Sequence, residues 1–439
     1  MADKKAAKKP AKKGAGKGGF KNLLSPIEIK GVEIRNRIAL APMNTLFSLD
    51  NRGYVNEQIL AYYGARAKGG CGLIITECVL GTRLASRYPY TTNLHCYNTS
   101  HMPGLFEIAE TVHAFGSACF VQMSIGFGRQ GHSHAGEHPP APSVVPMMVR
   151  PELMPRGFAK ALEAHPQLIE RAMGEMPYEM TVAEIRAEQD EFANSCRFAM
   201  AAQFDGIELH APHGYLEHQF LSPISNKRTD LYGGSLENRM RFMLEVYMKV
   251  RESVGQDYIL GVRMSADEHL PGGITHEEAL EVARTLAAMG ADYIHLSDGS
   301  YEALKYFFPD EDGAMLEEAA NFKAAVDVPV FCPSVHDPVL ADDAIARGKC
   351  DIVSLGRQMF TDPEWGNKVA EGRVEDITRC IRCNECLMRT AAGMPVRCVR
   401  NPNTGREKYM PEYWRPPIKA TPVTRMGVPP RLPEMKEDF

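Results

Sequence analysis

Eight short, almost wholly apolar runs recur along the chain, each followed by a segment of helical pattern. They lie at residues 38–43, 72–78, 118–124, 206–210, 258–265, 293–297, 328–332 and 351–356. Strands without polar alternation are buried on both faces, which implies a parallel sheet covered by helices. The covering helices are expected at 56–68, 103–115, 182–202, 236–254, 276–289 and 338–346, several closed by a glycine such as Gly69, Gly255 or Gly290. An open doubly wound sheet calls for a Gly-rich dinucleotide loop after an early strand, and none is present. The pattern therefore predicts an α/β fold, a closed (β/α)8 barrel of the TIM type over residues 22–375.

The rest of the chain departs from that rhythm. Residues 126–177 form an excursion rich in Gly, Pro, His and Met, with a helical patch at 158–173. A loop this long is usually functional or disordered, and at the C-terminal face of a barrel it reads as a lid or a pocket wall. Residues 1–21 hold eight lysines among Ala, Gly and Pro. They are expected to be a disordered tail, acting as a solubilising arm or as an electrostatic tether. No apolar core of an export signal is present, and no run nears the ~20 apolar residues of a membrane-spanning helix. A net charge of −5 argues against a general nucleic-acid binder. The Pro-rich residues 406–439 read as an extended tail that wraps the body or contacts a neighbour.

Seven of the eleven cysteines are scattered singly, and four crowd into 380–398. Without an export signal, this distribution points to a reducing cytoplasm and a metal site rather than to disulfides. Cys380, Cys383, Cys386 and Cys398 form a C-x2-C-x2-C-x11-C array in segment 376–405. Thiolates so spaced hold iron–sulfur clusters, whereas structural zinc usually takes two separated C-x2-C pairs. A 4Fe–4S cluster is the expected occupant.

His210, His213 and Tyr215 stand where the fourth strand ends, the position at which barrel enzymes place catalytic groups. Two imidazoles suit a carbonyl or carboxylate oxygen, and a phenol can donate a proton; a single histidine at a strand end is more often structural. The segment 206–241 containing them, with NRIALAPM at 36–43 and SLGR at 354–357, resembles the old yellow enzyme family. The cysteine array is similar to that of its iron–sulfur branch, which includes 2,4-dienoyl-CoA reductase, 2-enoate reductases and trimethylamine dehydrogenase. The resemblance covers about residues 20–405.

It implies non-covalent FMN. Pro42, Met43 and Asn44 would lie against the flavin, and Cys78 would contact it. Gln122 would bind its pyrimidine edge, and Arg263 would stabilise negative charge on the reduced ring. The phosphate is expected at Ser334, Gly356 and Arg357, after strands seven and eight. The CPSV sequence at Ser334 lacks the glycine or Asn-Arg of relatives. Arg129 faces the pocket only if the lengthened loop after strand three aligns. The implied reaction is hydride transfer to the C=C bond of an α,β-unsaturated carbonyl or acyl-CoA substrate. His210 and His213 would hold the oxygen while Tyr215 protonates the α-carbon.

A cluster implies one-electron exchange. No Rossmann glycine loops follow it in this sequence, so the electrons are expected from a partner protein or second subunit, or from NAD(P)H acting directly. A homo- or hetero-oligomer follows from family habit. Two alternatives stay open at this stage, an amine dehydrogenase and a non-catalytic electron-transfer subunit.

Overall fold

The computed structural model describes residues 19–48, 52–132, 136–164 and 173–416. Residues 1–18 of the expected Lys-rich tail and 417–439 of the Pro-rich tail lie outside these described residues.

Eight parallel strands close a barrel. They are β1 (Ile38–Leu40), β2 (Leu73–Ile75), β3 (Ala118–Ser124), β4 (Gly206–His210), β5 (Ile259–Ser265), β6 (Ile294–Ser297), β7 (Val330–Pro333) and β8 (Ile352–Leu355). They pair in chain order; β8 pairs with β1, and β3 with β4, so no edge is left free. The helices include, in chain order, α1 (Glu57–Lys68), α2 (Met102–His113), α3 (Arg156–Ala164), α4 (Val182–Ala201), α5 (Leu236–Val254), α6 (His276–Ala288), α7 (Leu316–Ala325), α8 (Pro338–Ala346), α9 (Arg357–Thr361) and α10 (Glu385–Ala391), with further short helices between them. Their starts are written in the sequence. Thr181 and Thr275 each close a capping box with the glutamate three residues on, and Asn56 and Ser235 accept from backbone N–H groups of the first turn.

Side chains alternate along each strand, so every second residue points into the barrel. Its lower interior is apolar, built from Leu73, Ile75, Phe120, Ile259, Tyr293, Phe331 and Ile352. A hairpin of Ile27–Ile29 and Val32–Ile34, turning on Lys30 and Gly31 at φ 46° and 81°, packs Ile29 and Ile34 into the same cluster. Gly261 is required here, because a Cβ at that position would lie 2.2 Å from the Tyr293 ring. One alternation further up, the inward residues become polar. Gln122 Nε2 donates to Glu208 Oε1 at 2.7 Å, Glu208 Oε2 lies 2.8 Å from His295 Nδ1, and His295 Nε2 lies 2.8 Å from Ser354 Oγ.

Several boundaries differ from expectation. β1 ends at Leu40, so Pro42 and Met43 leave the ladder; proline has no N–H to give it. β2 ends at Ile75, and the expected helix at 158–173 is present as α3, with 165–172 outside the described residues. The N-terminal segment is already folded at Phe20, which is buried in the main core. Within the expected extended tail, 407–413 makes two short 3-10 turns. Glu407 pairs with Arg66 of α1 at 2.7 Å with both side chains buried, and Trp414 packs on Ala61 and Ala65.

Candidate active site

The C-terminal ends of the strands converge on one cleft of about 550 Å3, counting the part open to solvent. It brings together Pro42, Met43 and Asn44 after β1, Cys78 after β2, and Gln122 on β3. From the next two strands come His210, His213, Tyr215 and Arg263. Nine residues singled out in the sequence thus share one wall system. Ser334, Gly356 and Arg357 do not line it.

The local backbone explains how two histidines and a tyrosine only five residues apart reach the same space. His210 ends β4 facing inward, and the chain then reverses through His213 at φ 68° and Gly214 at φ 79°. A side chain at Gly214 would collide with Gln130 Nε2 at 2.7 Å, the group that donates to the His213 carbonyl. The ring centroids of His210 lie 5.2 Å from His213 and 4.6 Å from Tyr215.

Burial, aided by the Arg263 cation nearby, pushes both imidazoles well below the ordinary histidine pKa, so both are neutral at pH 7. Both nitrogens of His210 are buried and unpartnered. His213 Nε2 lies 2.5 Å from Ser297 Oγ, which also accepts from Arg263 Nη2 at 3.4 Å. Arginine only donates, so Ser297 Oγ accepts from Arg263 and pairs with His213 Nε2 in the direction that the imidazole tautomer sets. Burial raises the Tyr215 phenol well above its usual pKa and keeps it protonated. Burial lowers Arg263 to about 10, which leaves it cationic.

The polar layer beneath fixes this set. Burial opposes the Glu208 charge, but His295, Arg263 and Gln122 outweigh it and hold the carboxyl below its usual range. An ionised Glu208 can only accept, which orients the Gln122 amide with nitrogen toward the carboxylate.

The sequence reading missed the end of β6 and the segment that follows it. Ser297 holds His213, Tyr301 reaches Tyr215, and Phe307 stacks on the His213 ring with centroids 3.5 Å apart. Glu302 pairs with Arg129 and accepts from Met148 N at 2.9 Å, so Arg129 is bound to a carboxylate instead of facing the cleft. A signal existed: Glu208 and His295 are polar residues at inward positions of otherwise apolar strands.

Unpaired buried polar atoms each cost about 1–3 kcal/mol. His210 and the Arg263 Nε therefore fit a cleft that expects a polar ligand, and the residues named for the flavin ring are all present there. The expected phosphate group is not assembled in the same way. Arg357 donates to Asn384 Oδ1 and the Pro309 carbonyl at 2.8 and 2.7 Å and sits 5.4 Å from the Phe308 ring. Those acceptors draw it away from the cleft toward the cysteines.

Cys380, Cys383, Cys386 and Cys398 line one cavity of about 300 Å3, together with Arg357 and Arg397. Cys386 also lines the main cleft. Among the described residues, no three His, Cys, Asp or Glu side chains converge on a single ion. None of the eleven cysteines forms a disulfide. No helix among the described residues is long and apolar enough to cross a membrane.

Known proteins similar to this chain match most of its length. The "NADH oxidase" of Thermoanaerobacter brockii is 38% identical over 422 residues, covering 93% of this chain and 60% of the relative. The "Cinnamate reductase" of Clostridium sporogenes is 34% identical over 420 residues, covering 89% and 59%. A solved 2-naphthoyl-CoA reductase complex aligns with a TM-score of 0.79 at 30% identity, over 89% of this chain and 58% of that one. The chain thus spans about three fifths of the length of these relatives. Residues 22–376 match the model of a single family, and the chain belongs to it: the NADH:flavin oxidoreductase / NADH oxidase family, whose barrel is that of the old yellow enzymes.

Proposed function

We propose that this chain reduces the C=C bond of an α,β-unsaturated carbonyl or acyl-CoA compound. The observation that carries the reading is the convergence of two neutral imidazoles and a protonated phenol on one cleft with Arg263. Bound FMN supplies the hydride for such a reaction. His210 and His213 donate to the substrate carbonyl oxygen and stabilise the enolate as negative charge develops there. Being neutral, they do so without protonating it outright. Tyr215 delivers a proton to the α-carbon. Arg263, a cation in the same cleft, would offset negative charge on the reduced ring. An amine dehydrogenase has no use for this oxygen-binding pair, and a pure electron relay has none for the phenol.

The cysteine cavity is read as the seat of a 4Fe–4S cluster, which supplies one-electron exchange when bound. The spacing of the four thiols, which line one cavity, suits a multi-iron cube better than a single zinc. Arg357 and Arg397 would offset the negative charge of a thiolate-bound cluster. Electron exchange with a partner protein follows from that reading, with NAD(P)H as the direct alternative. The free cysteines support a reducing, cytoplasmic setting.

The test is anaerobic. Dithionite-reduced, flavin-loaded protein is mixed with 2-cyclohexen-1-one, cinnamate and crotonyl-CoA. Reoxidation of the flavin by at least one of them, with the saturated product formed, is expected. Reoxidation by oxygen but by none of the three overturns the proposal.

A further inference from the structure

A second cavity of about 500 Å3, again counting the part open to solvent, adjoins the reaction cleft and shares Asn44, Tyr301, Leu387 and Thr390 with it. Besides Asn44, Tyr90 and Thr91, its walls come from three further places that are remote in sequence. The insertion contributes Met147, Val149, Met154 and Phe158; the loop after β6 contributes Tyr301 and Leu304; α10 contributes Leu387 and Ala391. Met154, Phe158, Leu304 and the α10 residues Leu387 and Ala391 belong to one apolar cluster, so these walls are packed against one another.

Among the described residues, no Arg, Lys, His, Asp or Glu lines this cavity. A charged group placed there would lose part of its hydration and find no counter-charge among these residues. Aromatic faces are present instead. Tyr90 meets Tyr301 edge-on with centroids 5.3 Å apart, and Phe158 is buried in the wall. Met147 and Met154 add adaptable apolar surface. Tyr301 is the partition between the two spaces, since its ring also stacks on Tyr215 in the reaction cleft.

We infer that this cavity binds the β-substituent of the unsaturated substrate and that it selects an uncharged, flat group of aryl size. This rests on the reductase reading for the other half of the substrate. A carboxylate, thioester or nucleotide carried by the same molecule must then lie on the histidine side or outside, because the chamber offers it no counter-charge.

The experiment uses the oxidised, flavin-loaded full chain, in which binding is read without turnover. Calorimetry and the flavin absorbance change give affinities for 4-phenyl-3-buten-2-one, 3-penten-2-one and the 4-carboxyphenyl analogue of the first. The phenyl compound should bind at least about tenfold more tightly than the methyl one, and the carboxylate should lose that advantage. Phe158→Trp and Leu304→Trp, which fill the chamber from different walls, should each bring the phenyl-to-methyl ratio toward one. Equal affinities for phenyl and methyl compounds in the wild-type protein overturn the inference, as does a carboxyphenyl compound that binds as well as the phenyl one. A phenyl preference without reduction by the dithionite-treated enzyme removes the reductase reading and leaves the site. Reduction without a preference does the reverse.

Discussion

Tyr301 stacks on Tyr215 with ring centroids 5.8 Å apart and planes 12° from parallel, and the two hydroxyls lie 3.3 Å apart. A residue from the loop after β6 therefore fixes the phenol delivered by the turn after β4. Tyr215→Phe should slow flavin reoxidation by an enone by about 10²–10⁴-fold while flavin reduction changes little. Tyr301→Phe keeps the Tyr215 phenol but removes its hydrogen bond, so a loss of about tenfold is expected in the same step. Stopped-flow measurement of the two half-reactions separates them. Equal slowing of both halves in Tyr215→Phe would remove the proton-donor role.

Glu217, two residues beyond Tyr215, is buried with Oε2 unpartnered, and burial raises its carboxyl to about 8. The folded chain therefore holds this proton at pH values where the unfolded chain, with a carboxyl near ~4.3, has released it. Stability falls as pH rises from about 4.3 to about 8, by up to ~1.4 kcal/mol per pH unit. Glu217→Gln removes that slope. Its stability relative to wild type should improve by about 2–3 kcal/mol between pH 5 and pH 7, read by denaturant unfolding at each pH. A difference that stays constant with pH contradicts the assignment.

Arg129 and Glu302 are each only 3% exposed and pin the start of the insertion to the loop after β6. Glu302→Ala leaves a buried, unpaired guanidinium and should cost about 3–5 kcal/mol. The loss should appear first as faster proteolytic cleavage within residues 126–177, with the barrel fragments still folded. Uniform destabilisation with no preferential cleavage would show that the pair does not fasten the insertion.

The four cysteines make a compositional prediction. Anaerobically purified protein should carry about four irons with matching acid-labile sulfide, and one extractable FMN per chain. Cys380→Ser and Cys398→Ser should lose iron while retaining flavin. Cys350→Ser, at a buried cysteine outside the array, should retain both. Zinc in place of iron would assign the cavity to a structural metal.

What the sequence alone determined is what depends on local chemistry and on period. Apolar runs such as ACFVQMS and YILGVRMS are legible as buried parallel strands, and Thr181 and Thr275 announce their helices through capping. The turn after β4 is legible too, because His210, His213 and Tyr215 are close in the chain. The cysteine array is local in the same sense. Tertiary structure decided everything that depends on which strand ends face one another. Ser297, Tyr301 and Glu302 reach His213, Tyr215 and Arg129 from 84, 86 and 173 residues away. No periodicity encodes such contacts. The destination of Arg357 was likewise undecided until Asn384 and the Pro309 carbonyl stood beside it: a guanidinium goes where buried acceptors are, and only the closed barrel determines where those lie.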